Sequence, residues 1–141
     1  MATVFTRILD GELPGTFVWR DERCAGFLSI NPVRPGHVLV VPRAEVDHWV
    51  DLEPELARHL MTVAQVVARA QQRAFAQPRV GLLIAGLEVP HAHLHLIPMS
   101  SEADLHLANA KTSVSPEELA RNAAAIRAAL VEQGADGVSG G

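Results

Sequence analysis

The chain has 141 residues, which fits one domain able to bury its own core. Its formal charge of −4, with Lys111 as the only lysine, excludes the basic stripe that a long nucleic acid needs, although a few arginines suffice for one small anion. With neither a basic leader before an apolar core nor an apolar run of membrane length, the reading is a soluble cytoplasmic protein, and the lone Cys24 excludes an internal disulfide and reads as an inert thiol.

In chain order, residues 3–10 predict a short first helix whose apolar contacts are Phe5, Ile8 and Leu9, punctuated by Gly11 and Pro14. Thr16 to Arg20 and Cys24 to Ile30 read as strands. Asn31-Pro32-Val33-Arg34-Pro35-Gly36 makes a turn, and His37 to Val41 is a β-branched strand ended by Pro42. Three strands joined by tight turns predict an antiparallel meander. A long helix follows from Glu53 to Phe75, with Pro54 in its first turn and Asp51 or Glu53 expected to accept from free amides. Leu56, Leu60, Val63, Val67 and Ala70 or Gln71 keep helical spacing.

Strands are then expected from Arg79 to Ile84 and, past Gly86, from His91 to Ile97, ended by Pro98. Met99 to Thr112 shows no firm pattern. Ser115-Pro116-Glu117-Glu118 is a capping-box helix start, Leu119, Ala123, Ile126 and Leu130 line one face, and Gly134 stops the helix. The expected organisation is one α+β domain over residues 1–133, with a disordered tail over 134–141.

His91-Ala92-His93-Leu94-His95 is the segment that carries chemistry. In a strand, side chains at i, i+2 and i+4 share a face, so the imidazoles point together while Ala92, Leu94 and Leu96 face the core. A sheet surface has no structural need of such a row, for which serine, threonine or arginine would serve. Neutral imidazole can attack phosphorus through one ring nitrogen while the other donates to a carbonyl, and crowded imidazoles resist becoming cations together. A metal is the weaker alternative, because no cysteine pair or nearby glutamate completes a familiar ligand set. Taken alone, His37, His48, His59 and His106 read as ordinary surface or helix residues.

His91-Ala92-His93-Leu94-His95-Leu96-Ile97, with Phe5-Thr6-Arg7-Ile8, Gly11-Glu12-Leu13-Pro14 and Pro35-Gly36-His37-Val38-Leu39-Val40-Val41-Pro42, resembles the histidine triad (HIT) family over about residues 3–98. That resemblance implies a five-stranded antiparallel sheet continued across a homodimer, with one nucleotide site per subunit; from the residues themselves no cofactor or metal is expected. By carry-over His93 would be the nucleophile, His91 and His37 would orient and polarise it, and His95 would contact the α-phosphate and assist the leaving group. Val4, Phe5, Ile8, Phe27 and Leu28 would flank a purine, with Ser29 and Ile30 near the ribose.

The chain also departs from the family pattern. Ser29 stands where the family has a ribose-binding acid, and Gly86-Leu87-Glu88 replaces a Gly-Gln-Ser or Gly-Gln-Thr phosphate segment. Val80 stands for an asparagine, and Thr6 for one of the cysteines that bind zinc in some relatives. Two functions therefore remain open: a nucleotidyl hydrolase or transferase acting on a purine mononucleotide ester, anhydride or phosphoramidate, and a nucleotide-binding regulatory protein with negligible turnover.

Overall fold

The computed structural model describes residues 2–111 and 113–138. Three helices, α1 (Val4–Leu9), α2 (Pro54–Phe75) and α3 (Pro116–Glu132), accompany five strands, β1 (Phe17–Arg20), β2 (Cys24–Leu28), β3 (Val38–Pro42), β4 (Arg79–Leu83) and β5 (Leu94–Met99). The strands form one sheet in the order β1-β2-β3-β5-β4, with every neighbouring pair antiparallel. The class is α+β, and the first three strands make the expected meander.

All residues of β2 and β3 are buried, so the middle of the sheet is covered on both faces. Strand alternation divides them. Cys24, Leu28, Val38, Val40, Leu94 and Leu96 face a large core closed by Leu60, Val63 and Val67 of α2 and Ile126 and Leu130 of α3. Ala25, Phe27, Leu39 and Val41 face the other way, into a smaller cluster with Phe17 and with Phe5 and Leu9 of α1. Ser115 caps α3 by accepting from the Glu118 amide, and Gly134, at φ +74°, follows its end.

Several local expectations are corrected. Strand β5 begins at Leu94, so His91 and His93 precede it. Leu94 pairs with Val40, and the next rung would set Ala92 against Pro42, which has no N–H to offer. The Ala92 amide instead donates to Val46 O (2.7 Å) in the loop after β3. Pro42 and Pro98 lie inside strands rather than just past them; Pro98 pairs with Val80, beyond Leu96, the last β5 residue paired to β3. Glu53 is the N-cap of α2 but makes no side-chain capping bond, and Asp51 belongs to a short 3₁₀ turn, Trp49–Asp51.

The unpatterned segment after Met99 holds two further 3₁₀ turns, Glu102–Leu105 and Leu107–Asn109, while Thr112 lies outside the described residues. Asp104 pins this segment to the Asn31–Gly36 turn by pairing with Arg34 (2.9 Å). The tail expected over 134–141 falls partly on residues 139–141, also outside the described residues. Before them, Gly137 O accepts from the Arg20 amide (2.8 Å) and Val138 bridges to Trp19. Among the described residues no helix is long and apolar enough to cross a membrane.

The β1–β2 turn is tied to α2 by one carboxylate. Asp21 Oδ2 accepts from Trp19 Nε1 (2.8 Å), His59 Nε2 (2.7 Å) and the Cys24 thiol (3.5 Å), while Oδ1 accepts from the amides of Arg23 and Cys24 (both 2.8 Å). Partial burial raises the Asp21 pKa, but those donors outweigh it and hold the group well below the usual carboxylate range. Asp21→Asn is expected to lower unfolding stability by roughly 2 kcal/mol at neutral pH in urea titrations. Because the folded-state pKa is depressed, this difference persists above the unfolded carboxylate range. It shrinks as pH falls below that range, where the unfolded wild type takes up the proton first.

Candidate active site

His91 is fully buried and its hydrogen bonds dictate its tautomer. Nε2 lies 2.7 Å from Pro42 O, an acceptor only, so Nε2 carries the proton. Nδ1 therefore offers a lone pair, and the Thr3 hydroxyl lies 2.6 Å from it. The His91 carbonyl accepts from His93 Nδ1–H (2.8 Å), which leaves the lone pair of His93 on Nε2.

The other pair is fixed with equal economy. The Val33 amide donates to His37 Nδ1 (3.1 Å), so His37 holds its proton on Nε2 and gives it to His95 Nδ1 (3.0 Å). His95 consequently carries N–H on Nε2. The rings of His93 and His95 are 4.8 Å apart between centroids, so the ring whose Nε2 holds a lone pair packs against the ring whose Nε2 holds a proton. His37 bonds to His95, so a hydrogen-bond network from His37 to the middle histidine would run by way of that ring.

Burial keeps these rings neutral. It pushes His37 down to about 3, helped by the charges His95 and His93 would carry, and His95 down to about 4, helped by His93. Burial also lowers His93, where the charge of His91 acts the same way, while the bond to the His91 carbonyl and the Glu88 carboxylate oppose it. The stability consequence has a definite sign. An unfolded histidine gains its proton near 6.5, whereas the folded His37 and His95 refuse theirs until far lower pH. Stability is complete above about 6.5 and falls as pH drops toward 4, by on the order of a few kcal/mol. Replacing His37 by glutamine should flatten this fall between pH 6.5 and 4 in urea titrations, relative to the wild type.

Phe5 packs edge-on against His93 (4.8 Å) and His91 (5.6 Å), and Phe27 packs against Phe5 (5.8 Å) and Phe17 (5.7 Å). Ile8 borders this cluster, which gives the histidines an apolar wall, and Val4 and Ile30 are exposed. Leu28 is not part of that wall. It pairs with Val38 and turns into the α2–α3 core, since adjacent residues of one strand face opposite ways. The Ser29 amide donates to His37 O (2.9 Å), and its hydroxyl accepts from the Asn31 amide (3.2 Å). Leu87 is 96% exposed and Glu88 is exposed; Val80 is half-buried against the large core.

The sequence reading missed Thr3, Val33 and the Pro42 carbonyl as partners of these rings. The signal for Thr3 was its place just before an apolar helical run. For Val33 and Pro42 the contributing groups are backbone atoms, which sequence does not distinguish. A second cluster, Asp21, Cys24 and His59, brings ligand-type atoms within 4.8 Å of one another. Donors already occupy both Asp21 oxygens, the Arg23 guanidinium meets His59 Nδ1 (3.0 Å), and burial followed by the Asp21 charge holds Cys24 as a thiol. It works as a structural knot.

A buried neutral imidazole with a free ring nitrogen, packed against a second neutral imidazole that offers an N–H, is chemically able to attack a group such as a phosphoryl. Residues 10–102 match the HIT domain model, so the chain belongs to the HIT domain family and is an enzyme of the nucleotidyl hydrolase and transferase type that this family represents. It is 31% identical over 106 residues to the protein named hit of Bacillus subtilis, covering 72% of this chain and 73% of that one. It is 30% identical over 101 residues to the purine nucleoside phosphoramidase of Escherichia coli, covering 67% of this chain and 85% of the relative. Among solved structures, a zinc-bound histidine triad family protein from Mycobacterium smegmatis superposes with a TM-score of 0.81 at 27% identity, covering 95% of this chain and 96% of that one.

Proposed function

We propose that the protein hydrolyses or transfers the nucleotidyl group of a purine mononucleotide ester, anhydride or phosphoramidate, through a nucleotidyl-histidine on His93. The observation that carries this reading is the bond from His93 Nδ1–H to the His91 carbonyl, which leaves Nε2 as a lone pair on a ring kept neutral by burial. In the first displacement a bond forms from Nε2 to phosphorus and the bond from phosphorus to the leaving group breaks. The Nε2–H of His95, aligned by His37, donates a hydrogen bond to the charge that develops there. Water, or another hydroxyl acceptor, then forms an oxygen–phosphorus bond as the Nε2–phosphorus bond breaks, its proton passing to solvent while His93 Nε2 regains its lone pair and the nucleotide leaves.

A purine suits the wall of Phe5, Ile8 and Phe27, because branched and aromatic side chains cover the faces of a flat base while its edges stay free; Val4 and Ile30, both exposed, would complete it by the family resemblance. The similarity to a purine nucleoside phosphoramidase supports the same choice. We place this activity in a homodimer. β4 lies at the sheet edge, and Leu82 (39% exposed) and Met61 of α2 (58% exposed) form an apolar flank that a second copy would cover.

Glu88 favours a second reading. Its carboxylate acts on His93 and would repel an anionic leaving group, and Leu87 offers no donor to one, so a protein that binds nucleotide with negligible turnover is the competitor. Intact-mass measurement during incubation with adenosine phosphoramidate and with a dinucleoside polyphosphate separates the two. An added nucleotidyl mass on the protein, together with release of mononucleotide, is expected. Saturable mononucleotide binding without adduct or release would establish the competitor instead.

A further inference from the structure

We propose that Thr3 is a positioning residue for the His91–His93 pair, acting as the single hydroxyl that seats the amino-terminal helix and the nucleophile together. This inference rests on the function proposed for His93 but concerns a residue outside the histidine motif.

Three bonds meet at Thr3. Its hydroxyl lies 2.6 Å from His91 Nδ1 and accepts from the Thr6 amide (3.1 Å), capping α1, while its own amide donates to Glu45 Oε1 (2.8 Å). The hydroxyl has one proton and two candidate acceptors. Thr6 Oγ1 is 3.4 Å away, at the edge of bonding distance, and the Thr6 hydroxyl is itself engaged with Glu45. His91 Nδ1 is much nearer and, with Nε2–H given to Pro42 O, needs a donor. His91 has no solvent exposure, so water cannot replace a lost hydroxyl there without rearrangement.

Holding that ring holds the peptide that follows. The carbonyl of His91 receives His93 Nδ1–H, so the orientation of His91 sets which nitrogen of His93 is free. The same hydroxyl, as the cap of α1, places Phe5 edge-on against both imidazoles. The polar and apolar constraints on His93 thus start at one atom. A supporting group of this kind alters the chemical step more than substrate binding.

The experiment uses the full chain, labelled with ¹⁵N-histidine, as wild type and as Thr3→Ser, Thr3→Val and Thr3→Asp. Thr3→Ser keeps cap and donor. Thr3→Asp keeps an acceptor for the Thr6 amide but has no proton to give, and Thr3→Val keeps shape alone. In the wild type and Thr3→Ser, ¹⁵N spectra should show His91 protonated on Nε2 only and His93 on Nδ1 only. In both other variants the His91 Nδ1 signal should shift and the His93 Nδ1–H signal should weaken. With adenosine phosphoramidate, kcat should fall roughly tenfold or more in Thr3→Asp and Thr3→Val, with KM changed less than about threefold. Wild-type spectra and kcat in Thr3→Asp would reduce Thr3 to a helix cap and overturn the inference, as would a wild-type His91 protonated on Nδ1. Should the wild type form no adduct and turn nothing over, the proposed function fails, and the imidazole spectra alone then decide the role of Thr3.

Discussion

Replacing His93 by alanine is expected to lower the turnover of adenosine phosphoramidate by about 10³-fold or more, roughly 4 kcal/mol of transition-state stabilisation, and to abolish the covalent adduct. The reason is local. His93 offers the free nitrogen of a ring whose other nitrogen is tied to the His91 carbonyl, whereas the neighbouring His95 presents a proton instead of a lone pair. His95 therefore cannot take over as nucleophile without breaking its bond from His37. Mononucleotide affinity should change by only a few-fold, because the wall beside the triad belongs to Phe5, Phe27 and Ile8. Steady-state kinetics with a titration of AMP would check both parts. Residual turnover within tenfold of the wild type would remove His93 from the nucleophile's role.

Gly36→Ala is expected to cost about 2–4 kcal/mol of stability and to disturb the site without touching a histidine. Gly36 has φ +85°, and a Cβ there would run into the ring of Phe75 at the end of α2. Its carbonyl also accepts from the buried Gln71 Nε2 (2.8 Å), which reaches Leu96 O as well (3.0 Å), so a shift of the turn would pull on two strands. His37 follows directly, and its bond to His95 depends on where the turn delivers it. Gly11 provides the control: it has the same φ of +85° but nothing within 4 Å of a Cβ. Gly11→Ala should cost only about 1 kcal/mol, the backbone share of the penalty. In urea titrations the difference between the two isolates the collision with Phe75, and Phe75→Leu should restore part of it. Equal losses at both glycines would show that backbone conformation alone is responsible.

The order of elements, the α+β class and the meeting of the histidines were legible along the chain. Each rests on local information: apolar spacing for α2 and α3, β-branched runs for β3, and the alternation of His91, His93 and His95 with Ala92, Leu94 and Leu96. The imidazoles pack together even though the first two precede the ladder: His93 lies against His95, and its Nδ1–H bonds to the His91 carbonyl.

Which nitrogen of each ring bears a proton was decided only by tertiary structure. The Thr3 hydroxyl, the Pro42 carbonyl and the Val33 amide come from the first helix, the end of β3 and the turn before it, and the sheet order carries them to the triad. The same holds for Leu28, which an apolar motif groups with Phe27 but strand geometry turns to the opposite core. Composition and spacing name the imidazoles; hydrogen bonds between distant segments assign their protons, since a ring nitrogen is donor or acceptor only according to the atom that folding sets against it.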